Sequence, residues 1–215
     1  MKKGIIIKGK HSYNDFGLEI GERNISFPQI NRITESVPYQ NGEYDFSSLN
    51  GEITYGNRDI KYSFDIAELT TEEMEIQKDK ISMWLNNIID EDILDDYIQD
   101  YHFKGSLKKI DWKEDFGSAT LEITFSVHPY KYSNDVTEIE YIIEEQTTIQ
   151  LNTDSAHSII PIITCEGDII IEKENNTYAL TTGTYNDLDF SLDKENLLVI
   201  SGPGKIKFSF VKEVM

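Results

Sequence analysis

The chain has 215 residues, a length that buries one large core or two small ones. Its 39 Asp and Glu against 20 Lys and Arg give a formal net charge of −19. That balance argues against a nucleic-acid binder, because such affinity depends on basic residues displacing counterions from phosphate.

The N-terminus, Met1-Lys-Lys-Gly-Ile-Ile-Ile-Lys8, has a basic start but an apolar run too short for a signal h-region. No stretch approaches the roughly 18 apolar residues of a membrane span. A soluble product without a cleaved signal is expected. Ile53, Tyr55, Ile60, Tyr62, Phe64 and Ile66 alternate with polar residues around Gly56-Asn57-Arg58-Asp59, the period-two pattern of a half-buried hairpin. From Thr70 to about Asp90 the period becomes helical, with Met74, Ile81, Trp84, Leu85, Ile88 and Ile89 on one side and Thr70 and Glu73 spaced as a capping box.

An acidic connector, Asp90 to Asp96, precedes expected strands at Tyr97 to Phe103, Leu107 to Trp112 and Ala119 to Val127, with Gly117-Ser118 as the turn before the last. His128-Pro129-Tyr130-Lys131-Tyr132 closes this unit, since proline cannot donate to a central ladder. A domain boundary is expected here, giving domains 1–131 and 132–215. Residues 1–131 hold 24 acidic and 15 basic residues and residues 132–215 hold 15 and 5, so the shorter part is the more acidic per residue.

Beyond the boundary the pattern predicts only strands: Glu138 to Ile143, Thr147 to Leu151, Ile159 to Cys165, Asp168 to Lys173, Thr177 to Leu180, Asp187 to Leu192, Leu197 to Ser201 and Lys205 to Val211. Gly202-Pro203-Gly204 reads as a hairpin turn between the last two. Short strands with Gly, Asn and Asp turns indicate a jelly-roll β-sandwich. The fold class is therefore mainly β in two domains, with one substantial helix in the first.

No catalytic, cofactor or metal site is expected. Asp154-Ser155-Ala156-His157 holds the three triad residue types, but crowded into one turn where triad members converge from separate elements. Glu91, Asp92, Asp95, Asp96 and Asp100 cluster without the calcium-loop order, and read as a solvated connector. His11, His102, His128 and His157 lack zinc-ligand spacing, and Gly4, Gly9, Gly17 and Gly21 do not form a phosphate-binding loop. The lone cysteine, Cys165, reads as a buried hydrophobe that cannot form an intramolecular disulfide.

The order of several segments resembles the distal tail proteins of long-tailed bacteriophages. The opening strand is followed by Asp15-Phe16-Gly17-Leu18, by Arg32 to Pro38, by Asn41-Gly42-Glu43-Tyr44-Asp45-Phe46, and by the hairpin-like Tyr55-Gly56-Asn57-Arg58. The helix with Trp84-Leu85 and a strand ending in His128-Pro129-Tyr130 complete the first domain. The likeness covers about 130 residues, and its specificity lies in the order. The second domain matches more loosely, through Asn152, Ile159-Ile160-Pro161-Ile162-Ile163 and Gly167-Asp168-Ile169-Ile170-Ile171.

The resemblance implies an N-terminal β-sandwich-like ring domain with a helix and a β-hairpin, and a galectin-like or jelly-roll C-terminal domain. It implies a homo-hexameric ring at the virion tail tip, made in the host bacterial cytoplasm and encoded by a phage, prophage or tail-like bacteriocin. Tail tube and tape-measure proteins would be its partners on one side. The tail hub, tail-associated lysin or receptor-binding proteins would lie on the other, with DNA passing through and neither membrane nor tight nucleic-acid binding.

Two rival functions differ in class. A carbohydrate-binding module of a host-adsorption device would suit the C-terminal sandwich. Both tryptophans, Trp84 and Trp112, nevertheless lie in the first domain, which leaves Tyr141, Tyr178, Tyr185 and Phe190 as candidate platforms. A β-sandwich hydrolase would need a carboxylate pair or nucleophile that the sequence does not offer.

Overall fold

The computed structural model describes residues 2–49, 51–67, 70–115, 118–186 and 189–215. The expected turn residue Gly117 and the first two residues of the expected strand 187–192 lie outside these. The chain divides into two compact units, residues 1–131 and 132–215, each with its own apolar core.

Unit 1 opens with β1 (Ile5–Ile7), β2 (Lys10–His11), a one-turn helix α1 (Ser12–Phe16) and β3 (Ile20–Ile25). A small hairpin of β4 (Thr34–Ser36) and β5 (Glu43–Asp45) follows, then β6 (Arg58–Ala67), α2 (Thr71–Leu85), β7 (Glu91–Asp95), β8 (Ile98–Asp115) and β9 (Ser118–Val127). The main antiparallel sheet runs β3-β6-β9-β8-β7-β1-β2. It curls back on itself, since Ile20 N donates to Lys3 O just ahead of β1. Along β9 the residues Ala119, Leu121, Ile123, Phe125 and Val127 all face the core, which is the period-two pattern read from the sequence.

The helix expected from Thr70 is α2. Thr70 Oγ1 accepts from Glu73 N and Glu73 Oε2 accepts from Thr70 N, a reciprocal capping box. Met74, Ile81, Trp84 and Leu85 are buried against the sheet, and Trp84 Nε1 donates to Ile7 O. The helix stops at Leu85, earlier than expected, because Asn86 is extended and Asn87 and Asp90 have positive φ. Ile88 still reaches the core while Ile89 is exposed.

Three expectations for unit 1 are corrected. The alternating residues 53–66 do not form a hairpin: β6 pairs with β3 and β9, and Tyr55 bridges instead to Ile30. The connector 90–96 is largely strand β7, and its carboxylates are tied into the fold. The two strands expected at 97–112 are one 18-residue strand, β8, which pairs with β7 up to Gly105 and with β9 from Gly105 onward. Glycine is required at that crossover because a Cβ on Gly105 would lie 2.4 Å from Ser126 O.

Unit 2 contains β10 (Lys131–Ile143, entered from the boundary residue), β11 (Thr147–Asn152), β12 (Ile162–Gly167), β13 (Ile169–Lys173), β14 (Asn176–Leu180), β15 (Gly183–Tyr185), β16 (Glu195–Ser201) and β17 (Gly204–Val214). Two four-stranded arrays result, β15-β12-β17-β10 and β11-β16-β13-β14. Eight strands dealt between two sheets in this order make a jelly roll. Ile163, Cys165, Ile206 and Phe208 from the first sheet meet Leu151, Ile169, Ile171, Leu198 and Ile200 from the second in one core.

The strand expected at 187–192 is not formed by the described residues there. Phe190 is buried without a strand and Leu192 makes a single bridge to Ile159. The unexpected β15 pairs with β12. Gly202-Pro203-Gly204 is not a hairpin turn, because β16 and β17 lie in different sheets. It is a tight passage between them, where Gly202 has φ 97° and a Cβ would lie 2.0 Å from Asp168 O.

Candidate interaction surface

The segment between β3 and β6 forms an arm. Residues 29–46 are all exposed, and the exposed side chains of the arm include Phe27, Ile30, Ile33, Val37, Tyr39, Tyr44, Phe46, Leu49 and Ile53. The arm is organised by its own backbone. β4 and β5 pair antiparallel, Phe46 N donates to Ile33 O, and Ser47 Oγ accepts from Ile33 N. Tyr44 and Phe46 stack at 6.3 Å, and Gln40 bonds the Tyr44 hydroxyl. A lone two-stranded ribbon is marginal in water, and apolar side chains exposed at this density make the arm a candidate contact surface. Its charged residues, Arg32, Glu35, Glu43, Asp45 and Glu52, are mostly acidic.

The arm is anchored where it leaves and rejoins the sheet. Asn31 N donates to Thr54 O, Gly56 N to Gln29 O and Ser26 N to Asp59 O. Tyr55 packs edge-on to Tyr130 at 6.3 Å. The Tyr55-Gly56-Asn57-Arg58 motif is thus the arm's root, and the hairpin instead turns at residues 37–42, between β4 and β5.

The side-chain clusters weighed in the sequence serve the fold. Asp154, Ser155 and His157 are each held by β17: Asp154 pairs with Lys212, Ser155 Oγ accepts from Glu213 N, and His157 Nε2 lies 2.8 Å from Glu213 Oε2. Ser155 is buried, so its hydroxyl is a structural acceptor. Asp95, wholly buried in its side chain, accepts from Arg23 Nη1 at 2.9 Å, Tyr62 OH at 3.0 Å and Tyr97 N at 2.9 Å. Burial, and then the Asp95 carboxylate, push the Tyr62 phenol well above its ordinary value, so the hydroxyl remains a donor.

His11 caps α1 by accepting from Tyr13 N and Asn14 N at Nδ1, with Nε2 3.0 Å from Asp96. Glu91 pairs with Lys8 and Asp92 with His102. Cys165 is buried, and burial raises its thiol pKa. Among the described residues no three His, Cys, Asp or Glu are grouped to hold a metal, and no helix is long and apolar enough to cross a membrane. The aromatics that a sugar platform would need are engaged elsewhere. Phe190 is buried, Tyr178 donates to Asp189 O, Tyr185 bonds Thr181, and Tyr141 packs on the core.

Comparison with solved structures connects these two units to a known architecture. The crystal structure of SPP1 Dit, described as a paradigm of the hub adsorption apparatus in phages infecting Gram-positive bacteria, matches all of this chain over all of its own length, with a TM-score of 0.75 at 13% identity. The fold is that of Dit. The likeness read from segment order in the sequence is borne out at that level, although few residues are shared. The phage P2 baseplate in its activated conformation with Ca matches over 97% of this chain and 98% of its own, with a TM-score of 0.46 at 10% identity. No protein-family model and no curated protein matches the sequence. The arm is a stretch of unit 1 whose apolar side chains its own core leaves uncovered.

Proposed function

We propose that this chain is a structural protein of a phage tail tip, a Dit that assembles as a hexameric ring between tail tube and hub. The full-length match to the SPP1 Dit fold carries this reading. The exposed apolar arm supports it, because a ring closes only through repeated head-to-tail contacts, and such contacts need a patch on each subunit that its own fold leaves open. In this reading residues 1–131 make the ring contacts, and residues 132–215 are dispensable for them. Tail tube, tape-measure, hub, lysin or receptor-binding proteins are its partners, and its place is the virion tail tip. The role is non-enzymatic. The net charge of −19 suits a conduit for DNA, since a negative wall repels phosphate within the Debye length.

Mass measurement in solution with electron microscopy tests the proposal. A sixfold ring is expected, formed by the isolated chain at high concentration or together with tube and hub proteins. Replacing Ile33, Phe46 and Leu49 together by Ser should dissolve it without changing the unfolding of the monomer, because all three are exposed. A chain that stays monomeric beside its tail partners would overturn the ring. A ring indifferent to the triple substitution would overturn the role of the arm.

A further inference from the structure

Arg58, at the root of the arm, is only 5% exposed, and its Nε and Nη2 have no hydrogen-bond partner. A guanidinium does not shed its proton in a protein, so this charge stays buried. In a chain with 39 acidic residues, no described carboxylate offsets it. Burial alone acts on Arg58, lowering its pKa. The Phe103 ring lies against the guanidinium, with the Arg58 Cζ 5.2 Å from its centroid. Lys131 stands close by, its ammonium 6.0 Å from the Tyr101 ring, and its pKa is lowered by burial and then by the charge of Arg58. Two cations are therefore gathered against aromatic walls without a counter-charge, an arrangement that destabilises a fold unless something supplies one.

The unmet donors specify the missing chemistry. The N–H of Nε and one N–H of Nη2 point the same way in the guanidinium plane, and this edge matches two coplanar oxygens at bidentate spacing. The Phe103 ring stands 5.2 Å from Cζ, and the Nε and Nη2 donors are buried with no hydrogen-bond partner. We propose that Arg58 and Lys131 form a binding site for an oxyanion, a carboxylate or phosphate group, with the Arg58 edge gripping it and the more exposed Lys131 guiding its entry. This inference is independent of the ring: a monomer should show it.

The test is thermal unfolding of the full chain followed by tryptophan fluorescence, which reports unit 1 because Trp84 and Trp112 both lie there. Sodium acetate and sodium phosphate are titrated against sodium chloride at matched ionic strength. The wild type should gain a saturable rise in midpoint with at least one oxyanion over chloride, following the linkage between ligand and native state. A rise with acetate alone assigns a carboxylate and a rise with phosphate alone assigns a phosphate. Lys131→Gln should raise the half-saturating concentration by about tenfold, the factor carried by about 1.4 kcal/mol. Arg58→Met should remove the saturable response. Arg58→Lys, which keeps the charge and loses the fork, should also remove it and serves if the methionine variant does not fold. A wild-type response equal to that in chloride would overturn the proposal, as would a response that survives the Arg58 substitution.

Discussion

The Arg23–Asp95–Tyr62 cluster gives the sharpest test of what holds unit 1 together. Asp95 has no exposed side-chain surface, and its carboxylate is held by one cation, one phenol and one backbone amide. Replacing Arg23 by Ala leaves a buried carboxylate with its two neutral donors, and stranding one partner of a buried pair costs about 3 to 5 kcal/mol. The Arg23 side chain is 30% exposed, so water follows into the space it vacates and the lower end, about 3 kcal/mol, is expected. Tyr62→Phe removes one hydrogen bond to a charged group and should cost about 1.5 to 3 kcal/mol. The double change Arg23→Met with Asp95→Leu removes both charges, and should recover most of the loss. Urea unfolding read by tryptophan fluorescence isolates unit 1, which matters because two units with separate cores need not unfold in one step. A loss below about 1 kcal/mol for Arg23→Ala would show that the carboxylate does not depend on its cation, and would refute the reasoning.

Other consequences can be checked by the same assays. Leu85→Ala, at a fully buried position of α2, should cost about 2 to 5 kcal/mol, and a change under about half a kcal/mol would place that helix face outside the core. Gly105→Ala should cost about 1 to 3 kcal/mol, since its methyl would meet backbone that cannot swing aside; an unchanged urea midpoint would contradict the crossover geometry. Lys113 and then Lys61 hold the Glu122 carboxyl at about 2, below its ordinary range. A depressed folded-state pKa stabilises the native state above the unfolded value, about 4.3, and that contribution is lost as pH falls through about 2. Stability of the wild type should therefore fall more steeply than that of Glu122→Gln between about pH 4.5 and 2; identical acid profiles would sink this assignment.

Much of the fold was legible because it depends on period. The alternation Ala119 to Val127 predicts β9, the Thr70 and Glu73 pair predicts the start of α2, and the spacing of short strands predicts the jelly roll. The errors fall where local pattern meets tertiary choice. Residues 53–66 alternate as a hairpin should, yet strand pairing is decided by which partner completes the sheet, and β6 finds β3 and β9 while Tyr55 finds Ile30. A hairpin turn and a passage between sheets use the same Gly-Pro-Gly chemistry, so Gly202 to Gly204 could not reveal which it was.

The interaction surface was less legible for a different physical reason. Ile30, Ile33, Val37, Tyr44 and Phe46 have the composition of a core strand, and sequence carries no mark of whether such residues are buried within their own chain or left outside it. A buried position in an assembly and one in a monomer obey the same hydrophobic rule. The distinction appears only when the chain is folded and the apolar residues remain outside, as on the arm. Arg58 is the converse case. Its sequence neighbours, Asn57 and Asp59, suggest a solvated turn, but pairing with Val127 draws it inward, and Asp59 is left to Lys108. The missing counter-charge therefore emerges from strand register, which a one-residue slip would have turned to solvent.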